Sequence, residues 1–134
     1  MPRERTFVML KPDCVKRGLI GEVIGRIEKK GYRIADAKMA TVDAAFLNKF
    51  YEHIKDQPYF VEVVNYMRSG KVLGLIVEGE DVVMGMRRLI GPTIIEDALP
   101  GTIRGDFAAS SVDSLIHATR TPEEVVTECN VFFQ

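Results

Sequence analysis

Hydrophobic residues in the first part of the chain form one strand-like run and one helix-like period. Residues 7–10 are continuously apolar and Pro12 follows closely, which predicts a buried strand over residues 5–11. Apolar residues at helical spacing from residue 15 to residue 30 predict a single helix, with Gly31 as its C-cap. The fold is therefore predicted to begin with a strand followed by a helix.

The middle of the chain continues this alternation of strands and helices. Ala35, Ala37 and Met39 alternate with polar residues, which predicts a half-exposed strand with these three on its apolar face. Helical periods then predict two helices, followed by an apolar strand over residues 72–77 and a helix that Gly91 ends.

The last part of the chain contains a long segment without a clear period. Residues 92–113 are rich in Pro, Gly, Thr and Ser and predict an ordered loop, and loops of this length are usually functional. A short strand over residues 114–117 and a final helix follow, with Thr121 and Glu124 spaced as a capping box. This order predicts an α+β, ferredoxin-like fold. Helices cover one face of an antiparallel four-stranded sheet, with extra helices and a long loop before the last strand.

Length, composition and charge are those of an ordinary globular protein. The 134 residues are 46% hydrophobic and 28% charged, which predicts a single domain over residues 1–134. A formal net charge of -1 gives no overall attraction to nucleic acid or membrane, so neither is expected as the main partner. Cys14 and Cys129 lie far apart, and we recognise neither a signal peptide nor an apolar run of bilayer length. We therefore expect a soluble, cytoplasmic protein.

A histidine near the end of the chain is the main chemical candidate. His117 follows two branched apolar residues, and Glu128 on the next predicted helix can orient its imidazole. Lys11 at the end of the first strand, together with Arg87 and Arg104, could contact a phosphate group. Glycine-rich phosphate-binding loops are absent, so side chains would have to hold a nucleotide. A lone histidine is more often a core residue, so this interpretation requires the other groups to converge on it.

Several motifs together resemble the nucleoside diphosphate kinase family over essentially the whole chain. They are Glu4-Arg5-Thr6-Phe7, Lys11-Pro12-Asp13, Arg17-Gly18-Leu19-Ile20-Gly21, Met67-Arg68-Ser69-Gly70, Pro100-Gly101-Thr102-Ile103-Arg104-Gly105-Asp106-Phe107 and Ile116-His117-Ala118. The run at residues 100–107, at its distance before the histidine, is the most specific of these.

The resemblance implies a ping-pong phosphotransferase. A nucleoside triphosphate such as ATP would phosphorylate His117, and a nucleoside diphosphate would collect the group. The resemblance implies further that Glu128 orients the imidazole, that Thr119 bonds Glu128, and that Tyr51 contacts the site. The implied nucleotide-binding residues are Lys11, Tyr59, Val63, Arg87, Thr93, Arg104 and Ser114.

The resemblance also bears on the metal and on assembly. Mg²⁺ would be carried by the nucleotide phosphates, with no metal site built from protein ligands. Within the nucleotide site, Tyr59 would stack on the base and Val63 would pack beside it. The family implies a homo-oligomer, at least a dimer.

Two of the departures from the family pattern bear most directly on activity. Ser114 stands where the family usually has asparagine, and a shorter side chain weakens contact with the sugar or phosphates. Arg120 stands where the family has an aspartate, so it either adds a cation beside the phosphates or points away. These departures favour an alternative, a weakly active nucleotide- or nucleic-acid-binding regulator on the same fold.

Other residues weigh against the alternatives. Lys11, Arg104 and Glu128 are all present, whereas a degenerate site would be expected to lose some of them. An RNA-binding ferredoxin-like module is a third possibility, but its aromatic signature is absent. The second histidine, His53, is expected to be solvated.

Overall fold

Four strands of the computed structural model form one antiparallel sheet in the order β2-β3-β1-β4. The structure describes residues 3–111 and 113–133. The strands are β1 (Arg3–Leu10), β2 (Arg33–Ala40), β3 (Val72–Glu80) and β4 (Ile116–Ala118). Their order and antiparallel pairing are those of a ferredoxin-like split βαβ arrangement, so the predicted α+β fold class is confirmed.

Helices connect and cover these strands. They are α1 (Pro12–Lys16), α2 (Ile20–Lys29), α3 (Ala44–Phe50), α4 (Phe60–Met67), α5 (Val82–Ile90), α6 (Ile103–Phe107) and α7 (Pro122–Phe132). The segment predicted as a loop contains α6 and a 3₁₀ turn at Ile95–Asp97. Elements of three to five residues are too short to give a hydrophobic period, so the sequence pattern did not predict them.

The strand β1 lies inside the sheet and is buried on both faces. Phe7 and Met9 belong to one apolar cluster, and Val8 and Leu10 belong to the other. Helices α2 and α5 contribute to the second cluster, while α3 and α7 contribute to the first. The expectation that helices cover only one face is therefore wrong, because a continuous apolar run needs apolar cover on both sides.

The single helix predicted over residues 15–30 is divided into α1 and α2. Gly18, between them, has a φ of 71°, a left-handed conformation that glycine adopts at little cost. The predicted apolar face is retained, with Val23 and Ile27 fully buried. Gly31, with a φ of 101°, follows the last turn of α2 as predicted.

The strand β2 is present, but it faces the opposite way from the prediction. Met39 is 46% exposed and Ala37 is also exposed, whereas Ala40 is partly buried. The pairing register shifts between Ile34 and Asp36, and a shift of one residue turns the following side chains to the other face. The predicted apolar face is therefore wrong for Ala37 and Met39.

Within the described ranges, none of the helices combines the length and apolar character needed to cross a membrane.

Candidate active site

A cleft of about 1260 Å³ brings together residues from distant parts of the chain. Nearly all of the predicted site residues line it: Lys11, Tyr51, Tyr59, Val63, Arg87, Thr93, Arg104, Ser114, His117 and Glu128. The remaining one, Thr119, is fully buried and reaches the site through Glu128. His53 is exposed as predicted, but it also lines the cleft.

A carboxylate holds the imidazole of His117. Nε2 of His117 lies 2.9 Å from Oε1 of Glu128, and the Thr119 hydroxyl donates to the same oxygen over 2.6 Å. A neutral imidazole that donates through Nε2–H has its free lone pair on Nδ1. This arrangement is that of a nucleophile and its orienting group.

Burial and hydrogen bonding set the charges of this pair. Burial lowers the pKa of His117, outweighing the opposite effect of Glu128. Burial acts to raise the pKa of Glu128, but hydrogen bonds from His117 and Thr119 outweigh it and hold that pKa below its usual value. At neutral pH the pair is therefore a neutral imidazole beside a carboxylate. The ring packs edge-on against Phe50, with centroids 4.8 Å apart.

The backbone just before the histidine is strained. Leu115 has a φ of 73°, and the Ile116 amide donates to the Ser114 carbonyl over 2.8 Å. This is a γ-turn of the rare positive-φ type, and such a conformation costs a non-glycine residue about 1–3 kcal/mol. The turn also explains why β4 begins at Ile116, two residues later than the predicted strand.

The guanidinium of Arg104 braces this turn. Its three nitrogens donate to the carbonyls of Ser114, Gly91 and Ile116, over 3.3, 3.1 and 2.6 Å. Only 5% of the residue is exposed. Burial, together with the nearby charge of Arg87, lowers the pKa of Arg104 to about 10, so it remains a cation at neutral pH.

The motif at residues 100–107 is the local structure that positions Arg104. The Thr102 hydroxyl caps α6 by accepting from the Gly105 amide over 2.9 Å. Asp106 accepts from the Gly101 amide over 2.9 Å. A Cβ on Gly105 would lie 1.9 Å from the Leu99 carbonyl oxygen, so only glycine fits there. Most of this motif therefore builds a turn, and its arginine reaches the cleft.

Lys11 follows β1 and faces the same cleft. Its Nζ donates to the Ser114 hydroxyl over 2.9 Å, and its amide donates to the Leu115 carbonyl over 2.8 Å. Burial, with the charge of Arg104, lowers the pKa of Lys11 to about 8. The lysine is thus mostly charged at neutral pH and loses its proton within the mildly alkaline range.

The other predicted phosphate-binding residues come from α5 and the segment after it. Arg87 donates one hydrogen bond to the Ala118 carbonyl over 3.2 Å and is partly buried. Burial, followed by the charge of Arg120, lowers its pKa. Thr93 is exposed on the cleft wall. Arg87 therefore brings a second guanidinium to the wall that carries His117.

Aromatic side chains complete the cleft. Tyr51 is buried, and its hydroxyl has no hydrogen-bond partner within the described part of the chain. Tyr59 precedes α4, is 45% exposed, and lines the cleft with Val63 one turn later. The cleft thus offers a flat aromatic face as well as a cluster of cations.

Comparison with known proteins shows which family this chain belongs to. The family model for nucleoside diphosphate kinase matches residues 4–134. The nucleoside diphosphate kinase of Ignicoccus hospitalis is 49% identical over 98% of this chain and 89% of its own length. This chain belongs to the nucleoside diphosphate kinase family. The predicted resemblance is confirmed, and the protein is an enzyme of the kinase class.

Solved structures of the family share the fold. The nucleoside diphosphate kinase of Encephalitozoon cuniculi matches with a TM-score of 0.94 and 40% identity, over 96% of this chain and 88% of that one. The enzyme from Halobacterium salinarum, solved in complex with CDP, matches with a TM-score of 0.95 and 38% identity. That match covers 99% of this chain and 89% of the other.

The two departures from the nucleoside diphosphate kinase pattern have defined positions. Ser114 is buried and accepts from Lys11, so its hydroxyl is a fixed part of the site. Arg120 lines the cleft and forms an ion pair with Glu124. The predicted capping box is wrong, because Thr121 makes no side-chain cap bond and the Glu124 carboxylate pairs with Arg120 instead.

Some residues of the cleft, chiefly on α7, were not predicted from the sequence. Glu124, Thr127 and Val131 were missed, and they line the cleft at helical spacing beside Glu128, which was predicted. The same period that was applied to apolar residues would have found this stripe if it had been applied to polar residues too. Lys49, on α3, gave no comparable sequence signal.

No protein-built metal site is found within residues 3–111 and 113–133. No group of three His, Cys, Asp or Glu side chains in these ranges could hold a metal ion. Two carboxylates of the cleft are already engaged, Glu128 with His117 and Glu124 with Arg120.

Proposed function

We propose that this protein transfers the terminal phosphoryl group of a nucleoside triphosphate, such as ATP, to a nucleoside diphosphate through a phosphohistidine at His117. The observation that carries the proposal is the bond between Nε2 of His117 and Glu128, which leaves the lone pair on Nδ1. A nucleophile oriented in this way, within a cleft lined by cations, suits phosphoryl transfer, which depends mainly on positioning and charge stabilisation.

The reaction takes place in two displacements. In the first, Nδ1 of His117 attacks the γ-phosphorus, the bond from that phosphorus to the bridging oxygen breaks, and the diphosphate leaves with the electron pair. In the second, a terminal oxygen of another diphosphate attacks the phosphohistidine, and the N–P bond breaks. Glu128 keeps Nε2–H engaged throughout and stabilises the positive charge that develops on the ring.

Lys11, Arg87, Thr93 and Arg104 hold the phosphates in this proposal. Arg104 uses three of its five N–H donors on backbone carbonyls, which leaves two for an oxyanion. Arg87 uses one on the Ala118 carbonyl. The bond from Lys11 to Ser114 supports a role for the serine in orienting the ammonium group. Each cation is therefore positioned by the protein before a substrate arrives, which reduces reorganisation during transfer.

Tyr51 completes the polar side of the site. Its buried hydroxyl lacks a partner among the described residues, and leaving a buried hydroxyl unpaired costs about 1–3 kcal/mol. A phosphate or the phosphorylated imidazole can supply that partner. Thr119 acts indirectly, by holding the carboxylate that orients His117.

The base rests on Tyr59 and packs beside Val63. The exposed face of Tyr59 supports stacking, which every base permits because each has a π-face. Broad tolerance of nucleotides follows from this mode of recognition. In this proposal the nucleotide enters as a magnesium complex, since Mg²⁺ commonly binds through nucleotide phosphates and lowers their charge.

Assembly and location form part of the same proposal. The open edge of β2 and the exposed Met39 support at least a homodimer, because unpaired strand edges favour association. The two unpaired thiols, Cys14 and Cys129, support a reducing, cytoplasmic location.

Incubation with γ-labelled ATP tests the function. We expect the protein to acquire acid-labile, base-stable label, and we expect unlabelled GDP to remove that label as GTP. Binding of nucleotide without label would overturn the proposal and favour the alternative of a nucleotide-binding regulator on this fold.

The alkaline side of the pH profile tests the role of Lys11. Because its pKa is lowered to about 8, the ammonium is present below that pH and is lost above it. We expect kcat/KM for ATP to fall as the pH rises through about 8, since this parameter reports groups of the free, unphosphorylated enzyme.

The matched variant for this test is Lys11→Arg, because a guanidinium keeps its charge throughout this range. Whatever its absolute activity, we expect its profile to stay flat where that of the original protein falls. An alkaline fall of equal size and midpoint in the variant would assign the titration to another group.

A further inference from the structure

Arg120 occupies the link between β4 and α7, on the wall that carries His117 and Glu128. Its side chain is 52% exposed and lines the cleft. It precedes the polar stripe on α7 and lies four positions before Glu124 and eight before Glu128. Arg120 itself lies two residues before α7 begins, and its ion pair with Glu124 joins it to the first turn of the stripe.

Among the residues that the structure describes, one acidic side chain pairs with the guanidinium of Arg120. Its Nη2 lies 3.5 Å from Oε1 of Glu124, whose side chain is 39% exposed. An exposed pair of this kind adds little to stability, so the fold does not depend on it. Five N–H donors are available on the guanidinium, and one contact with Glu124 leaves most of them for another anion. The ion pair therefore restrains the arginine side chain but leaves most of its N–H donors available.

The charge of Arg120 reaches the centre of the site. It is the main charge that lowers the pKa of Arg87, after burial. It also contributes to the lowered pKa of Glu128. Lys11 donates to a hydroxyl, and Arg87 and Arg104 donate to backbone carbonyls. The ion pair of Arg120, by contrast, is solvent-exposed.

We propose that Arg120 is an additional phosphate-binding residue of this cleft, and that Glu124 is a positioning residue that keeps the guanidinium turned towards it. The inference rests on the proposed function and concerns the same site. An arginine suits this task because its planar fork can bond two phosphate oxygens at once. Glu124 restricts the rotamers of a long, exposed side chain, so less entropy is lost when a nucleotide binds.

Calorimetric titration of the unphosphorylated protein with ADP tests the first half of the proposal. We expect Arg120→Gln to raise the Kd for ADP about fivefold at low salt, and we expect this difference to shrink as salt is added. Arg88→Gln is the matched control, because Arg88 is exposed on α5 and is not part of the cleft wall. An equal change of Kd in the two variants would overturn the role of Arg120.

Substitutions of two neighbouring glutamates test the second half of the proposal, the positioning role of Glu124. Glu123 and Glu124 both line the cleft, and each substitution to glutamine removes one negative charge near an anionic ligand. If the change of charge were the only effect, both substitutions should tighten ADP binding. If Glu124 positions Arg120, we expect Glu124→Gln to weaken binding about twofold while Glu123→Gln tightens it. Equal tightening in both variants would contradict the positioning role.

Binding and turnover separate this inference from the proposed function. The titrations use ADP without a phosphoryl donor, so they report on Arg120 even if no phosphohistidine forms. Exchange of label with an unchanged Kd in Arg120→Gln would overturn the inference and leave the proposed function standing.

Discussion

Replacing His117 with alanine is expected to abolish both the labelled phosphoprotein and the exchange of phosphate between nucleotides. The imidazole is the group whose Nδ1 lone pair is left available by the bond to Glu128. Removing a nucleophile that reacts covalently should lower kcat by at least about a thousandfold. The measurement is transfer of label from γ-labelled ATP to GDP, followed over time.

His53→Ala is the matched control, because His53 is the other histidine and also lines the cleft. It is exposed, and its ring centroid lies 6.3 Å from that of Tyr51. We expect this variant still to form the acid-labile label. Equal loss of label in the two variants would show that the nucleophile has been assigned to the wrong residue.

Replacing Arg104 with lysine is expected to reduce both stability and turnover, although the charge is kept. A lysine cannot bond the carbonyls of Ser114, Gly91 and Ile116 at once. Each buried acceptor left unpaired costs about 1–3 kcal/mol, so we expect the free energy of unfolding to fall by about 2–4 kcal/mol. Relaxation of the turn at Leu115 displaces the histidine, and a shift near 1 Å can lower kcat about a hundredfold.

Arg26→Lys provides the control for this substitution. Arg26 pairs with Asp106 on α6 over 2.6 Å. It is partly exposed, and none of its hydrogen bonds within the described residues reaches the turn at Leu115. We expect its free energy of unfolding, from denaturant titration, to fall by about 1 kcal/mol or less. If Arg104→Lys behaved like this control, Arg104 would act as a simple charge and not as a brace.

The patterns that predicted the fold correctly are those with long-range physical causes. The apolar run at residues 7–10 predicts a buried strand because both faces of the sheet must be covered. The helix periods predict α2, α5 and α7 because each helix buries one stripe. Both signals arise from burial, because the positions that become buried are the ones that carry apolar residues.

The incorrect predictions of helix and strand bounds and faces occurred where local backbone geometry determined the structure. Gly18 divides a helix whose apolar spacing runs through it without interruption. The bulge near Ile34 inverts β2, and alternation alone cannot show an inserted residue. The positive φ of Leu115 delays β4, although leucine gives no sign of such a conformation in sequence.

The candidate site likewise contains residues that could be predicted from the sequence and contacts that could not. His117 and Arg104 could be selected from sequence because motifs and the family resemblance mark them. The pairing of Arg120 with Glu124 could not, because the spacing of Glu124 after Thr121 also fits a capping box. A carboxylate with two plausible partners is assigned only when side-chain positions are known.

The pairing of β4 with β1 has a consequence for how the protein is made. Lys11 and Ser114 are 103 positions apart, yet they are bonded across the cleft. Contacts between residues so far apart in sequence require a long loop to close, which costs chain entropy. Such contacts therefore tend to form late in folding. On the ribosome, Lys11 is synthesised long before His117 and the helix that carries Glu128. We therefore expect the cleft around His117 to assemble only after synthesis of α7 is complete.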